Sequence, residues 1–482
     1  MLFLRHPAWL WLKKNDSTKL PEITSSAQHR VDEGYEFEEC VELLFSGAEK
    51  IGFKDLGEYN TMLSRTSAAW SNGAHCVIQG KYQFDEITCI TDILEYDGDG
   101  YILTEIKSSS SVKSEHELDL AFQKVVLEGA GYIIHTCRVA HVNSEYVREG
   151  DLDAKKLVSF TDVTENVAKL FEKTKSEIDS AIAVVNNKNI PDIDPLLATP
   201  DAFQEWLDIR KTLEPRLDKD SIYHLPKIGS GVAKKLTKNN ITRIRDIKDS
   251  SLLSHGTAKY WKANKLGHRY INKSQVENFL NAMIYPIFYL DYETSSNAVP
   301  LWNHTKPYQQ VPFQYSLHIK RGLSASLEHV DYLHKAKDNP MDRLLEKLSQ
   351  DIAGHGSVVV WNKGFEMERN NEMAKYAPEY QDFLSRINSQ VIDLMDPFKA
   401  DMIMDPAFMG SNSIKDVLPV LVPKFSYNDL EIKDGGAAAR KWKAVTLQYK
   451  PNKEKVYADL IKYCKRDSEA MVLIHQELMR LI

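Results

Sequence analysis

Apolar and acidic residues alternate at helical spacing from Val31 to Phe45, and the chain then turns β-rich from Ile87 to Ile106, broken by Asp97-Gly98-Asp99-Gly100. Helical spacing resumes from Glu117 to Gly129, Gly131 to His141 reads as a further strand, and Val163 to Val185 is a long amphipathic helix. This pattern predicts a first domain over 1–190. Between Asn186 and Tyr223 the chain is polar and punctuated by Pro191, Pro195, Pro200 and Pro215, and a small helical module follows over Leu225 to Leu280. Together, 191–282 are expected to form a helical connector. From Met283 the order is strand (Ile284 to Asp291), strand (Val311 to Lys320), strand (Leu327 to Leu333), helix (Met341 to Ala353), strand (Ser357 to Trp361) and helix. A second domain, 283–482, is the expectation, and the chain as a whole reads as α/β multidomain.

Length agrees, since 482 residues are too many for one hydrophobic core. Lys+Arg 61 against Asp+Glu 68 gives a net charge of −7, which excludes a general polyanion-coating protein but not local basic grooves. The five cysteines, Cys40, Cys76, Cys89, Cys137 and Cys464, form no Cys-X-X-Cys pair, so neither a disulfide framework nor a zinc knuckle is indicated. A reducing cytoplasm is the expected compartment. Met1 to Leu12 is apolar but is interrupted by Arg5 and Pro7 and lacks a small-residue cleavage site, so a packed N-terminal segment is expected. No run approaches membrane length, and no membrane partner is expected.

The sharpest candidate chemistry lies in the last third. Phe288-Tyr289-Leu290-Asp291-Tyr292-Glu293 ends an apolar strand in two acids whose carboxylates, two residues apart, project to one side. Tyr463 and Asp467 are four apart within the pattern Val456 to Leu478 and share a helix face beside Leu460, Cys464, Met471 and Ile474. Between them, Val358-Val359-Val360-Trp361-Asn362-Lys363-Gly364-Phe365-Glu366 is a buried strand opening into a helix, with Glu366 one turn inside. Buried like charges are costly unless a cation sits between them, so a divalent metal site is expected. Acid-X-acid, Asn-X-X-Phe-acid and Tyr-X-X-X-Asp in this order resemble the DEDD exonucleases, tyrosine subgroup, on a ribonuclease-H-like domain. The resemblance implies two Mg²⁺ or Mn²⁺ ions held by Asp291, Glu293, Glu366 and Asp467, with Tyr463 orienting the attacking water. Glu366 departs from the aspartate usual in that superfamily. Tyr289, Tyr292, Trp302 and Phe313 are candidates for stacking bases, or core residues. Gly410-Ser411-Asn412-Ser413-Ile414-Lys415, before the helical Asp416 to Leu421, is assigned no catalytic role.

A second acidic cluster lies in the first domain. Pairing Tyr96 with Tyr101 across the Asp-Gly-Asp-Gly turn sets Ile93 opposite Thr104 and Asp92 opposite Glu105, and like charges so opposed call for a shared cation or proton. Lys107 shares the face of Glu105. Asp, a hairpin and Glu-X-Lys resemble the PD-(D/E)XK nuclease core, in which the carboxylates hold metal and the lysine polarises water or the phosphate. Two flanking features resemble its RecB-type branch: Glu39 as the upstream acid ligand, with Glu36 and Glu38 as rivals, and Gln123 on the following helix. RecB-type nucleases often hold an iron-sulfur cluster through late cysteines; none occurs between Arg138 and Tyr463, so no cluster is expected. Glu95, Asp97, Asp99, Gly100 and Ile102 also mimic an EF-hand loop, but its twelfth position would be Ile106, which cannot bind calcium.

Leu225-Pro226-Lys227-Ile228-Gly229-Ser230-Gly231-Val232-Ala233-Lys234-Lys235-Leu236 resembles a helix-hairpin-helix. Such a motif implies backbone N–H groups of the glycine turn on a phosphate, with Lys227, Gly229, Gly231, Lys234 and Lys235 as nucleic-acid contacts. The order of the three parts is similar to a bacterial family recorded as a domain of unknown function, in which a RecB-like nuclease precedes a DEDD-type domain. Gly34 to Phe45, Asp119 to Gly131, Pro312 to His318, Ser413 to Pro419 and Tyr463 to Val472 carry that similarity. The expected function is a metal-dependent nuclease acting on DNA or RNA, its C-terminal centre a 3′→5′ exonuclease on single-stranded ends. The alternatives are a nucleic-acid-binding scaffold with an inert nuclease fold, and hydrolysis of nucleotides or short oligonucleotides.

Overall fold

The computed structural model describes residues 1–22 and 25–482 and shows a mixed α/β protein divided into two units. Unit 1 comprises Met1–Leu213 with Asn297–Gln309, and unit 2 comprises Glu214–Ser296 with Gln310–Ile482. Residues 191–213 of the expected connector therefore lie in unit 1 and 214–282 in unit 2.

Unit 1 is built on a six-stranded sheet in sequence order: β1 (Glu49–Lys50), β2 (Cys76–Phe84), β3 (Ile87–Tyr96), β4 (Tyr101–Lys107), β5 (Ile134–Val142) and β6 (Val158–Asp162). β2, β3 and β4 form an antiparallel meander, whereas β1 joins β2, and β5 joins β4, in parallel. The β3–β4 turn is tight because Gly98 (φ 104°) and Gly100 (φ 159°) accept backbone angles closed to other residues, and a Cβ on Gly100 would lie 2.9 Å from the Ile133 carbonyl oxygen. That turn fixes the register, pairing Tyr96 with Tyr101 and Ile93 with Thr104. The helix Ser114–Gly129 returns the chain so that β5 lies parallel to β4, and it buries Leu120, Ala121, Val126 and Leu127 against Leu94, Leu103, Cys137 and Val139. Helix Leu56–Ser71 and strand β2, which the hydrophobic pattern does not announce, complete this half of the sheet.

Unit 2 holds a five-stranded sheet ordered β10-β9-β8-β11-β12. Chain order runs β7 (Tyr270–Ile271), β8 (Ile287–Ser295), β9 (Val311–Lys320), β10 (Leu327–Leu333), β11 (Ser357–Val360), β12 (Val391–Asp393) and β13 (Ile403–Met404), the first and last forming a separate two-stranded ladder. β8, β9 and β10 are antiparallel neighbours; β11 pairs in parallel with β8 and β12 in parallel with β11. The central strand does not stop at its acids as expected. β8 runs on to Ser295, because Thr294 and Ser295 still pair with Pro312 and Val311 after a register shift at Glu293/Thr294. Helix Lys453–Leu481 lays Leu460, Cys464, Asp467, Met471 and His475 on its buried face. It is pinned to the sheet by bonds from Gln314 Nε2 to the Leu460 carbonyl (3.0 Å), between Ser316 and Ser468 (2.7 Å) and between Tyr289 and His475 (2.6 Å).

Candidate active sites

In unit 2 the strand period of two and the helix period of 3.6 bring the expected residues to one place. Asp291 and Glu293 leave the same face of β8, and ligand atoms of Asp291, Glu293 and Cys464 all lie within 4.8 Å of one another. The Cys464 thiol donates to Asp291 Oδ2 at 3.6 Å. Glu366 and Asp467 stand outside this tight trio but act on it electrostatically. Burial first, then the charge of Asp467, pushes the Asp291 carboxyl well above the usual carboxylate range. Burial and the charges of Asp291, Asp467 and Glu366 do the same to Glu293, and burial with Asp291 does it to Glu366. Asp467 is raised by burial despite its bonds from Tyr427 and Tyr463.

Glu366 reaches the cluster because Asn362 takes a left-handed conformation (φ 83°) between β11 and the helix Lys363–Tyr376. The bend is held by buried Asp393, which accepts the backbone N–H groups of Asn362 (2.9 Å), Lys363 (3.1 Å) and Met395 (3.0 Å). Tyr292 donates a backbone hydrogen bond to the Glu366 carboxylate, whose Oε2 is nonetheless buried with no hydrogen-bond partner among the described residues. An orphaned oxygen beside three more raised carboxyls fits a divalent cation, and hard oxygen donors suit Mg²⁺ or Mn²⁺.

Two side chains here carry no role in the sequence reading, Tyr427 because it goes unmarked and Lys415 because its segment, Gly410 to Lys415, is assigned none. Tyr427 donates to Asp467 Oδ1 at 2.5 Å, and Lys415 Nζ lies 3.3 Å from the Tyr463 hydroxyl. Both sit outside any extended apolar pattern, so periodicity does not mark them. The candidate stacking rings are core: Tyr289, Tyr292 and Phe313 are buried in unit 2, where Phe313 stacks on Trp442 with centroids 4.4 Å apart, and Trp302 is buried in unit 1.

In unit 1 the hairpin register brings Asp92 beside Glu105. Asp92 Oδ2 accepts the Ile106 N–H at 2.6 Å, and burial with the Glu105 charge raises its carboxyl well above the usual range. Gln123 Nε2 donates to Glu105 Oε2 at 2.6 Å, while Lys107 Nζ pairs with Glu105 and, at 3.4 Å, with Asp119. Burial lowers the tendency of Lys107 to stay charged, but Glu105, Asp119 and Asp92 outweigh it and move its ammonium upward.

Of the three candidates for the upstream acid, the structure turns Glu38 and not Glu39 toward the pair. Glu39 is exposed, and the carboxylate whose charge reaches Asp92 is that of Glu38, itself held by Gln79 Nε2 at 2.5 Å. The signal was present: Phe37, Cys40 and Val41 are buried, and at 100° per residue Glu39 points about 150° from that stripe.

Lys227, Gly229, Gly231, Lys234 and Lys235 are all exposed, around the start of the helix Ser230–Lys238. A Cβ at Gly229 or Gly231 would meet nothing within 4 Å, so packing does not explain either glycine. Lys235 is turned to the Ser251 carbonyl at 3.1 Å.

Residues 288–413 match the family described as a domain of unknown function (DUF2779), a stretch running from β8 past β13. The chain is 29% identical over 206 residues (39% of this chain, 31% of the relative) to an uncharacterized protein of Mycoplasma genitalium, MG366. It is 24% identical over 375 residues (68% of this chain, 52% of the relative) to the uncharacterized protein UU173 of Ureaplasma parvum. It thus spans about a third to a half of the length of these curated relatives. No solved structure matches. Among the described residues no helix is long and apolar enough to cross a membrane.

Proposed function

We propose that this chain is a divalent-metal-dependent nuclease with a carboxylate centre in each unit, the one in unit 2 being a 3′→5′ exonuclease on single-stranded DNA or RNA ends. The observation that carries the reading is the set Asp291 and Glu293 on β8 with Glu366 and Asp467 from two helices, the last three buried, in which the charges of Asp291, Glu366 and Asp467 help to raise the carboxyls of their neighbours. The sheet order β10-β9-β8-β11-β12, with its mixed pairing, supports a ribonuclease-H-like frame for them. In unit 1, the meander, the helix and the parallel β5 support a PD-(D/E)XK frame.

Asp291, Glu293, Glu366 and Asp467 would hold Mg²⁺ or Mn²⁺, which when bound supplies Lewis acidity at the scissile phosphate and a nucleophile at neutral pH. The Tyr463 hydroxyl then orients the attacking water. In unit 1, Asp92, Glu105 and Glu38 are the acid ligands, Gln123 steadies Glu105, and Lys107 faces the phosphate or water. The exposed lysines and glycines at 227–235 suit sequence-independent phosphate contacts. A binding role without cleavage is favoured only for unit 1, where Lys107 is already engaged by Glu105 and Asp119.

End-labelled single strands incubated with Mg²⁺, Mn²⁺ or EDTA test the reading, using Asp291→Ala and Lys107→Ala alone and together. Metal-dependent ladders that drop at least about 100-fold with Asp291→Ala are expected, by analogy with losses at metal-site partners. Residual cleavage abolished only in the double variant marks two live centres. Wild-type protein that cleaves no strand with either metal refutes the nuclease.

A further inference from the structure

The Tyr463 hydroxyl is surrounded by groups that leave it little freedom. The Asp467 carboxylate, one helical turn on, acts on it, and since a carboxylate oxygen is an acceptor it draws the phenolic proton. Lys415 Nζ approaches the same oxygen at 3.3 Å; an ammonium has only donors, so this contact occupies phenol oxygen density. Lys415 is itself anchored, donating at 2.6 Å to the Lys433 carbonyl, and its ammonium stands 5.4 Å from the Tyr463 ring centroid and 5.7 Å from that of Tyr427. It comes from the start of the helix Ile414–Leu421, where Ser413 caps the first turn by accepting the Lys415 N–H. Its charge is also among those that counter the carboxylates, acting on Asp291, Glu293 and Asp467.

We propose that Lys415 is a positioning residue that fixes the Tyr463 hydroxyl between the Asp467 carboxylate and the Lys433-anchored ammonium, leaving one direction on the phenol oxygen for the attacking water. This rests on the nuclease reading of unit 2. A hydroxyl whose proton goes to Asp467 and which accepts from Lys415 can still accept one hydrogen bond from water, so the lone pair of that water points to one side only. Without Lys415 the phenol keeps the pull of Asp467 on its proton but loses its second anchor and the bias on its remaining acceptor direction.

The test pairs kinetics with a readout that needs neither substrate nor metal. With a labelled single strand and Mn²⁺, Lys415→Met should lower kcat about 10- to 100-fold, the range seen when partners of metal-site groups are removed, with KM little changed. Lys415→Arg should recover part of it. In a Tyr463→Phe background Lys415→Met should cost nothing further, because it acts through the hydroxyl. In protein carrying ¹³Cζ-tyrosine, the Tyr463 resonance, assigned by its loss in Tyr463→Phe, should move in Lys415→Met and return toward its place in Lys415→Arg. If the wild type cleaves but the Tyr463 resonance does not move in Lys415→Met, or if losses from Lys415→Met and Tyr463→Phe simply multiply, the inference falls alone. Wild-type protein without any cleavage overturns it together with the nuclease reading.

Discussion

At the scale of single residues, burial decides which protonation states the fold tolerates. His475 is 3% exposed against Tyr289, and desolvation pulls its imidazole down to about 4 from an ordinary 6.5. A base depressed in the fold contributes stability that is full above pH 6.5 and is lost as pH falls toward 4, on the order of 3 kcal/mol for this histidine. His475→Gln should therefore flatten the decline in urea-unfolding free energy between pH 7 and 4.5; equal slopes in the two proteins would contradict the assignment. His318, drawn down to about 3 by burial and by His329, adds a parallel loss that the variant leaves in place. The carboxyls of the unit 2 centre act in the opposite sense. Raised in the fold, they favour it below the ordinary carboxylate range and oppose it as pH climbs through their elevated values.

At the scale of elements, what was legible in the sequence is what periodicity controls. Acid-X-acid on a strand and Tyr-X-X-X-Asp on a helix each define a face, and an even turn with glycines defines a hairpin register, so Asp291 with Glu293, Tyr463 with Asp467, and Asp92 with Glu105 were readable without coordinates. The choice among Glu36, Glu38 and Glu39 needed the rotation of a helix whose apolar stripe is only three residues wide at that point. Tyr427 and Asp393 were beyond reach, since an irregular segment or a short strand leaves no period to follow, and Lys415 sits on the first turn of a short helix where nothing in the spacing points to Tyr463. Asp393 shows how much such a residue can carry. Only 1% exposed, it ties the end of β12 to the start of the Glu366 helix through the backbone N–H groups of Asn362 and Lys363, and is itself braced by the Met395 N–H and by Lys399 Nζ at 3.1 Å. Asp393→Ala should cost about 3 kcal/mol in chemical unfolding, as expected when one partner of a buried charged network is removed. It should also weaken Mn²⁺ binding by letting Glu366 drift; a variant with wild-type stability would show that the bend holds itself.

At the scale of the whole molecule, each unit carries its own cluster of acids with raised carboxyls, so cation binding should stabilise the chain through two separable contributions. Ligand-linked stabilisation grows as the logarithm of concentration over Kd, about 2.7 kcal/mol at one hundred times Kd. Millimolar Mn²⁺ should raise the thermal transition of wild type, raise it less in Asp291→Asn or Asp92→Asn, and leave the double variant unmoved; a full shift surviving in the double variant would place the cation elsewhere. The excursion of residues 297–309 bears on how such experiments are designed. Strung between adjacent strands β8 and β9 of unit 2, it belongs to unit 1, where Ala298 and Val299 join the apolar cluster of Phe37, Val41 and Ile93. No single scission of the polypeptide can therefore liberate either half intact: trimming at residue 213 strips one core of two members and strands them in solvent on the other fragment. Each centre is best silenced by point substitution in the full chain, since the interleaved cut points leave no fragment that keeps one core whole.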